Sequence, residues 1–418
     1  MIKGERMIRE LAGTKIVLGI CGGIAAYKTA YLVRELCALG AVVRVVMTRS
    51  ALSFIQPMTF QALSGEDVRC ELLDENAERG MGHIELARWA DYLLIAPATA
   101  DFMAKMAHGL ADDLLSTLYL ASTAPVVICP AMNQVMWAHP ATIDNVVVLR
   151  ERGVLIIGPA DGSQACGDVG LGRMAEIEDI TASLQLYPVK HLLQGRDLVI
   201  TAGATREAID PVRYISNHSS GKMGYALARA AHIAGARVHL ISGPSDLNPP
   251  LGVIYVGVGS AQDMLAAVLS ALNPGALFIG AAAVADYQVL HVSDKKLKKQ
   301  HHDTISLTLK KNPDILAAVV ATGRAAMVIG FAAETHDVLV NAEEKLHSKK
   351  LDMIIANQVG KGLGFDQDTN QVTVITNDAC ISLNLAPKIT LAGQIIEIIA
   401  KSLQDIALRN VHELFYSA

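Results

Sequence analysis

The residues able to do chemistry sit in loops of small side chains. Cys166 lies in GSQACGDVGLGRM (162–174), a stretch of glycine and small polar residues too flexible to be core. A zinc site would want further ligands at short spacing, and the sequence holds none there. A nucleophile would want a base held beside it, which spacing alone does not display. The glycines suit a flap that closes over a bound molecule, excludes water and delivers a proton donor. A thiol near its ordinary pKa can give up a proton at neutral pH. An inert loop side chain is the plain alternative.

Other candidates follow the same rule. His83, in GMGHIELARW, stands near an expected helix start. Its titration range suits an acid, a base or a carboxylate partner, although a lone histidine is more often structural. Asn133, in PAMNQVMWAHP (130–140), follows a buried-looking strand among Met132, Met136 and Trp137. Its amide could fix a polar ligand in an apolar pocket or satisfy a loop carbonyl. GICGGIAAYK (19–28) places three glycines where a strand turns into a helix. Backbone N–H groups can approach a phosphate there, and the helix N-terminus favours its charge. The pattern is neither GxGxxG nor a P-loop, and a plain tight turn reads equally well. APATADFMAKMAHGLADD (96–113) puts Pro97, Thr99 and Asp101 at a strand end, for a ligand or for a helix cap.

In the second half, SNHSSGKMG (216–224) sets Asn217, Ser219, Ser220 and Lys222 at an expected helix start. This is an anion cradle that differs from Walker A in spacing and order. KKLKK (295–299) reads as a solvated charge run, or as lysines that neutralise a reacting triphosphate. Asp286 in AAVADY and Asp314 in KNPDI could contact a sugar, a base or a magnesium ion.

Holding these groups requires strands that end beside them. KIVLGI (15–20), AVVRVVMT, YLLIAPA (92–98), VVICPA (126–131) and VLIIGPA (154–160) read as strands alternating with helical stretches. DLVITAGATRE begins a second set that includes ALFIGAAAV (276–284), MVIGFAA (327–333) and DMIIAN (352–357). TISLTLK, after the charged HVSDKKLKKQHHD, alternates like a strand. QVTVITND (371–378) is a late strand and a candidate edge, with a helix expected from Ala392. The expectation is two Rossmann-like three-layer α/β domains, 11–187 and 188–418, with ligands at the carboxyl ends of the strands.

Composition agrees. A chain of 418 residues, 51% of them hydrophobic, can build two cores. Its 36 basic and 41 acidic residues give a net charge of −5, so bulk charge offers no reason to expect nucleic acid, and any phosphate site must be local. The six cysteines include no CxxC pair, and at this density a reducing cytoplasm is expected. The leader MIKGERMIRE lacks the apolar run of a signal peptide, and no clean 18-residue apolar span predicts a membrane helix.

As a set, GGIAAYK, GHIELARWAD, PATADFMAKMAHGLADDLL, PAMNQVMW and ACGDVGLGRM resemble the flavin-dependent decarboxylase half of the bacterial bifunctional coenzyme A biosynthesis family. DLVITAGATREAIDPVRYISNHSSGKMG, AAAVADY, KKLKK, KNPDI and GFAAET resemble its ligase half. The resemblance spans residues 12 to 410 and keeps the domain order. It implies FMN in the first half, with Gly22, Gly23 and Ile24 at the flavin phosphate and Thr48, Ala98 and Thr99 lining the site. Cys21 stands where relatives often carry Ser or Thr, which removes one phosphate hydrogen bond. It implies that His83 is catalytic, that Asn133 binds substrate, and that Cys166 protonates the product-forming intermediate. The implied substrate is 4'-phosphopantothenoylcysteine. Its thiol is oxidised to a thioaldehyde, CO2 leaves an enethiolate, and the hydride returns to give 4'-phosphopantetheine.

For the second half the resemblance implies ligation of L-cysteine to 4'-phosphopantothenate with CTP and magnesium, through an acyl-cytidylate. Asn217 is expected to handle that intermediate and Lys296 to serve the second step; the extra Lys295 leaves the loop register open by one residue. Asp286, Pro313, Asp314, Ile315 and Leu316 match nucleotide contacts, as do Gly280, Ala281, Ala282, Phe331, Lys345 and Lys349. A homo-oligomer is also implied, with no nucleic acid or membrane partner. Two rival readings stand beside this one: a flavoprotein oxidoreductase carrying an unrelated nucleotide-binding domain, and a non-catalytic flavin-binding subunit. The second would ordinarily lack the thiol or the histidine, and both are present.

Overall fold

Two sheets organise the chain, each built from its own alternation of strands and helices. The structure, a computed structural model, describes residues 11–72, 82–298, 305–360 and 367–416, with side chains up to 406. The chain divides between Gln185 and Leu186 into two compact units.

The first unit runs β1 (Lys15–Ile20), α1 (Ala26–Ala38), β2 (Val42–Met47), α2 (Pro57–Ser64), α3 (Gly82–Trp89), β3 (Tyr92–Ala98), α4 (Ala100–His108) and α5 (Leu114–Ala121). It continues with β4 (Val126–Pro130), α6 (Gln134–Ala138), α7 (Pro140–Glu151), β5 (Leu155–Ile156) and α8 (Ile177–Gln185). The sheet is parallel, in the order β2-β1-β3-β4-β5. KIVLGI and YLLIAPA are buried along nearly their whole length, as central parallel strands covered on both faces must be. One face packs on α3, α4, α5 and α7, through Leu86, Phe102, Met103, Leu115, Leu118 and Leu149.

The second unit opens with β6 (Asp197–Ala202), β7 (Arg206–Ala208), β8 (Tyr214–Ser216), α9 (Lys222–Ile233), β9 (Arg237–Ser242), β10 (Ile254–Gly257), α10 (Ala261–Ala271) and β11 (Leu277–Gly280). β12 (Tyr287–Val289), β13 (Leu309–Lys311), α11 (Ile315–Thr322), β14 (Met327–Glu334), α12 (Val338–Ser348), β15 (Met353–Gln358), β16 (Thr369–Thr376), β17 (Cys380–Pro387) and α13 (Lys388–Tyr416) follow. The main sheet is β10-β9-β6-β11-β14-β15-β16-β17, parallel as far as β15 and antiparallel beyond. Helices α9 and α13 cover one face with Leu227, Ala231, Ile395 and Ile399; α10, α11 and α12 cover the other with Met264, Val268, Val319 and Leu346. Each unit is thus a three-layer α/β sandwich. Among the described residues no helix is long and apolar enough to cross a membrane.

Four local expectations change. The strand expected over 154–160 shrinks to Leu155–Ile156, because Pro159 has no N–H to continue a ladder. TISLTLK forms a strand only from Leu309, paired with β12; Thr304 lies outside the described residues. QVTVITND is not the edge, because ISLNLAP makes β17 and lies outside it. The last helix starts at Lys388, four residues before Ala392. The small β7–β8 hairpin had no clear signal in its three-residue strands.

Gly224, in the first turn of α9, lets that helix press on β6. A Cβ there would lie 2.5 Å from Ala202 Cβ and 3.1 Å from its Cα. Gly224→Val should cost about 1–3 kcal/mol of stability. The measurement is a lower denaturant midpoint at unchanged m-value; an unchanged midpoint would refute the close packing.

Candidate active sites

In the first unit the strand order reverses between β1 and β3, so the loops after these strands diverge and leave a crevice. A cleft of about 650 Å3 lies there. It is lined by Gly22, Gly23 and Ile24 from the β1–α1 turn, Thr99 after β3, Met132 and Asn133 after β4, and Gln164 and Cys166. Gly22 has no room for a side chain: a Cβ would sit 2.4 Å from Ser50 Cβ. Ile24, Tyr27, Met132 and Met136 give the cleft apolar walls, and the start of α1, which has no side-chain cap, faces it.

The segment around Cys166 is a hairpin. Gly162 and Gly170 exchange two backbone bonds of 3.2 and 3.1 Å, and Gln164 N donates to Asp168 O at 2.8 Å. Its root is tied to the floor by Met132 N donating to Gly172 O at 2.9 Å. Asn133 connects floor and hairpin. Its Oδ1 caps α6 by accepting from Val135 N at 2.8 Å, which turns Nδ2 toward the hairpin. Nδ2 donates to Asp168 Oδ2 at 2.8 Å and reaches Gln164 Oε1 and Cys166 Sγ, both at 3.4 Å. The amide thus bonds a backbone N–H and hairpin side chains, with no loop carbonyl among its partners within the described residues, and it lines the cleft.

Cys166 is exposed at the cleft, whereas Cys21 and Cys129 are buried. Burial pushes the Cys21 thiol up to about 12, against hydrogen bonding with Thr99 that pulls it down. Burial likewise raises Cys129. Thr99 also caps α4, its Oγ1 accepting from Phe102 N at 3.3 Å. Three expected site residues do not line the cleft. Thr48 donates its hydroxyl to Ile20 O at 3.3 Å, Ala98 is wholly buried, and His83 stands half-buried in the first turn of α3. Two basic residues that the motifs did not single out do line it, Lys28 and Arg173. Both pair with Glu176, at 3.2 and 3.1 Å. A lysine inside a helical run and an arginine beside a methionine carry no spacing signal.

In the second unit the reversal falls between β6 and β11. The two outgoing loops are stitched together: Ala283 N donates to Gly203 O at 2.8 Å, and Ala285 N to Thr205 Oγ1 at 3.0 Å. Two cavities open beside this seam. One, of about 460 Å3, is lined by Gly280, Ala282, Asp286, Pro313, Asp314, Ile315, Leu316, Phe331, Lys345 and Lys349. The other, of about 550 Å3, holds Asn217, Ser219, Ser220, Lys222 and Ala281. Ala282, Asp286, Phe331 and Lys345 line both, so the cavities meet at these residues. Glu334, Asn357, Asn370 and Lys388 also line the second cavity. Glu334 lies within GFAAET and Asn357 ends DMIIAN without either being singled out, while Asn370 and Lys388 arrive on a late strand and a helix end outside every quoted motif.

The junction is electrostatically arranged. Lys345 Nζ donates to Phe331 O at 2.7 Å. Burial and the neighbouring Lys349 push its ammonium below the usual lysine range, while Glu334, Asp314 and Asp286 pull the other way. Lys349 pairs with Asp314 at 2.8 Å. Burial would raise the Asp314 carboxyl, but Lys349 and the Ala317 N–H, which it caps at 3.0 Å, hold it below the usual range. Asn217 Nδ2 donates to Val284 O at 3.1 Å. Lys296 is exposed on the loop between β12 and β13 and lines neither cavity.

Comparison with known proteins matches this division. The flavoprotein family model covers residues 5–186, and the model for the DNA/pantothenate metabolism flavoprotein C-terminal domain covers residues 193–403. The coenzyme A biosynthesis bifunctional protein CoaBC of Vibrio vulnificus (strain CMCP6) is 51% identical over 393 residues, 93% of this chain and 98% of that one. Its counterpart in Escherichia coli (strain K12) is 50% identical over 393 residues, 93% and 96% of the two chains. A crystal structure of the C-terminal domain of a CoaBC protein is 43% identical and covers 52% of this chain and 100% of its own, with a TM-score of 0.44. Two domain families in this order, and half of all residues shared along nearly the whole length, lead to one conclusion: the chain belongs to the bacterial bifunctional coenzyme A biosynthesis family, a phosphopantothenoylcysteine decarboxylase and a phosphopantothenate–cysteine ligase in a single polypeptide.

Proposed function

We propose that residues 188–418 join L-cysteine to 4'-phosphopantothenate using CTP, and that residues 11–187 decarboxylate the resulting 4'-phosphopantothenoylcysteine with FMN. The observation that carries the decarboxylase reading is the Asn133 amide reaching Cys166 Sγ across the cleft at 3.4 Å.

The cleft suits a flavin. Its apolar walls fit a flat ring, and the glycine turn at the start of α1 fits a phosphate. FMN, when bound, supplies a two-electron acceptor for the substrate thiol and later a donor. The chain's own residues do the rest. Asn133 offers its amide N–H to the substrate carboxylate. The hairpin 162–172 excludes water. Cys166 holds a proton at Sγ and delivers it to the carbon that has lost CO2. Cys21 and Cys129 stay protonated and buried, so neither competes for that task. His83 keeps the catalytic role, and Thr48 and Ala98 the flavin contacts, that the resemblance implies, although none of the three lines the cleft of the single chain. The apolar side chains left exposed around the β1–α1 turn, Ile24, Tyr27, Tyr31, Phe54 and Met58, support a homo-oligomer. Six free cysteines support a cytoplasmic setting.

In the ligase the pantothenate carboxylate attacks the α-phosphate of CTP and releases pyrophosphate. The cysteine amine then displaces CMP from the acyl-cytidylate. The first cavity suits the nucleotide, with Asp314 to Leu316 at the start of α11 and Lys345 and Lys349 facing them. The second suits the acyl chain, with Asn217 beside the meeting point. Among the described residues no group of three or more His, Cys, Asp or Glu could hold a metal ion. Magnesium, when bound, would shield the triphosphate charge.

Four outcomes test this reading. Protein stripped of flavin should release no CO2 from 4'-phosphopantothenoylcysteine yet keep CTP-dependent pyrophosphate release; CO2 evolution at the native rate would sink the first assignment. Cys166→Ser should still evolve CO2 while forming 4'-phosphopantetheine about 100-fold more slowly. On the intact enzyme an alkylating reagent should label Cys166 and Cys380 before Cys21 and Cys129, as mass spectrometry of the peptides would show. The Lys345 ammonium titrates below an ordinary lysine, so CTP affinity should weaken as pH rises through that depressed value. Lys345→Gln should bind CTP more weakly and lose this limb in calorimetric titrations; a variant that keeps the limb would assign it elsewhere.

A further inference from the structure

We infer that Asp210 is a positioning residue for the amide-forming step, its carboxylate fixing the root of the loop that carries Lys296. The inference rests on the ligase reading above.

The Asp210 side chain is fully buried. It sits in the turn of the β7–β8 hairpin and gathers five donors. Val212 N and Arg213 N donate to Oδ1, both at 2.8 Å. Arg213 Nε, at 3.0 Å, and Arg213 Nη2 donate to Oδ2. The fifth donor is Leu297 N, at 3.1 Å to Oδ2. The same guanidinium closes the loop from the other side, Arg213 Nη2 donating to Leu297 O at 2.8 Å. One ion pair therefore holds both backbone groups of the residue next to Lys296.

The rest of the root is fixed in the same place. Ser293 N donates to Ile209 O at 3.1 Å, and Ser293 Oγ to Lys295 O at 2.6 Å. The Lys296 side chain is left exposed above this anchored backbone. A lysine on a fixed root gives up less backbone freedom when it reaches an intermediate than one on a free loop. The hairpin adds a second coupling. Asn217 directly follows β8, so the strand pair that carries Asp210 at its turn carries Asn217 at its exit. The two side chains expected at the acyl-cytidylate are thus referred to one buried carboxylate. Arg213 holds that carboxyl far below its usual range, and the anchor persists across any neutral assay pH.

The test uses the full-length holoenzyme with 4'-phosphopantothenate, CTP, magnesium and cysteine, following pyrophosphate and amide separately. Asp210→Asn should keep first-turnover pyrophosphate release within about twofold, slow amide formation about 10- to 100-fold and accumulate acyl-cytidylate. Limited trypsin digestion should cut after Lys295, Lys296 and Lys298 faster than in the wild type. Lys296→Gln should slow the amide step without speeding cleavage at the other two lysines, which separates loss of the anchor from loss of the lysine. Leu297→Pro deletes the loop's N–H and leaves Asp210 and Arg213 intact, so it should repeat the Asp210→Asn pattern even if that variant folds poorly. Unchanged amide formation in both variants overturns the inference, and so does an equal loss of both half-reactions in Leu297→Pro. If the wild type itself forms no amide, the ligase reading fails, and the anchor is judged by proteolysis alone, where unchanged cleavage of Asp210→Asn refutes it.

Discussion

A parallel sheet whose strand order reverses must leave a gap between the two loops at the reversal, and both candidate sites depend on that constraint. Consecutive strands placed on opposite sides of a first strand send their outgoing loops apart. The gap falls between β1 and β3 in one unit and between β6 and β11 in the other. Everything else refines these two crevices. In the first, Gly22 and the start of α1 shape one wall, while a hairpin rooted on Met132 forms the opposite one. In the second, Gly203, Thr205 and Ala283 stitch the loops so that the crevice becomes two cavities with a common border. The chemistry differs between the units, but the reason a site exists at that place is the same.

Charge is then placed locally within a net-acidic chain. Lys345 stands at the border of the two cavities and Lys349 in the first of them, opposed by Asp286, Asp314 and Glu334. An isolated buried ammonium would be costly, so the carbonyl of Phe331 and the neighbouring carboxylates share the load. Asp314 serves both as the cap of α11 and as the partner of Lys349. A triphosphate that displaced such a pair would exchange one anion for another, without leaving either lysine uncompensated. In the first unit Glu176 does the same for Lys28 and Arg173. Lys28, Arg173 and Lys349 thus each have a local counter-charge ready to be exchanged.

Much of this was readable from residues because central parallel strands are short, apolar and end in small side chains. KIVLGI, YLLIAPA, VVICP and LFIG announce the strands, and the residues just past them are the site. Gly22, Gly23, Ile24, Thr99, Asn133 and Cys166 meet in one cleft for that reason. What stayed hidden depends on tertiary pairing. β17 does alternate Ile381, Leu383 and Leu385 with Ser382 and Asn384, but it is exposed along most of its length, and only its pairing with β16 makes it the edge of the sheet. Glu334, Asn357, Asn370 and Lys388 reach the second cavity from late elements whose neighbours only the sheet order decides. Asp210 looked like one more loop acid; its burial and five donors exist only once the hairpin and the Lys296 loop have met. Lys296 itself was singled out from a charge run, yet it lies outside both cavities, because a motif states a residue's chemistry and not the distance it must travel.

The surroundings of Cys166 favour an acid over a nucleophile. A nucleophilic thiol needs a base positioned to take its proton. The groups around Sγ are a neutral amide donor, Asn133 Nδ2 at 3.4 Å, and a neutral amide acceptor, Gln164 Oε1 at 3.9 Å. Gln164 orients the S–H without removing the proton. The Asn133 N–H is a weak partner while the sulfur is a thiol and a strong one once it carries charge, since a hydrogen bond to an ionised acceptor is about twice as strong. Nδ2 also donates to Asp168 Oδ2 at 2.8 Å, which fixes the amide through one of its two N–H bonds and leaves the other for Sγ or Gln164 Oε1. This pair of amides holds the thiol in place and supplies no base to prepare an attack. Serine at this position would keep the shape and the hydrogen bonds, but a hydroxyl is too weak an acid to donate at neutral pH, so loss of CO2 and completion of the product would become separable events.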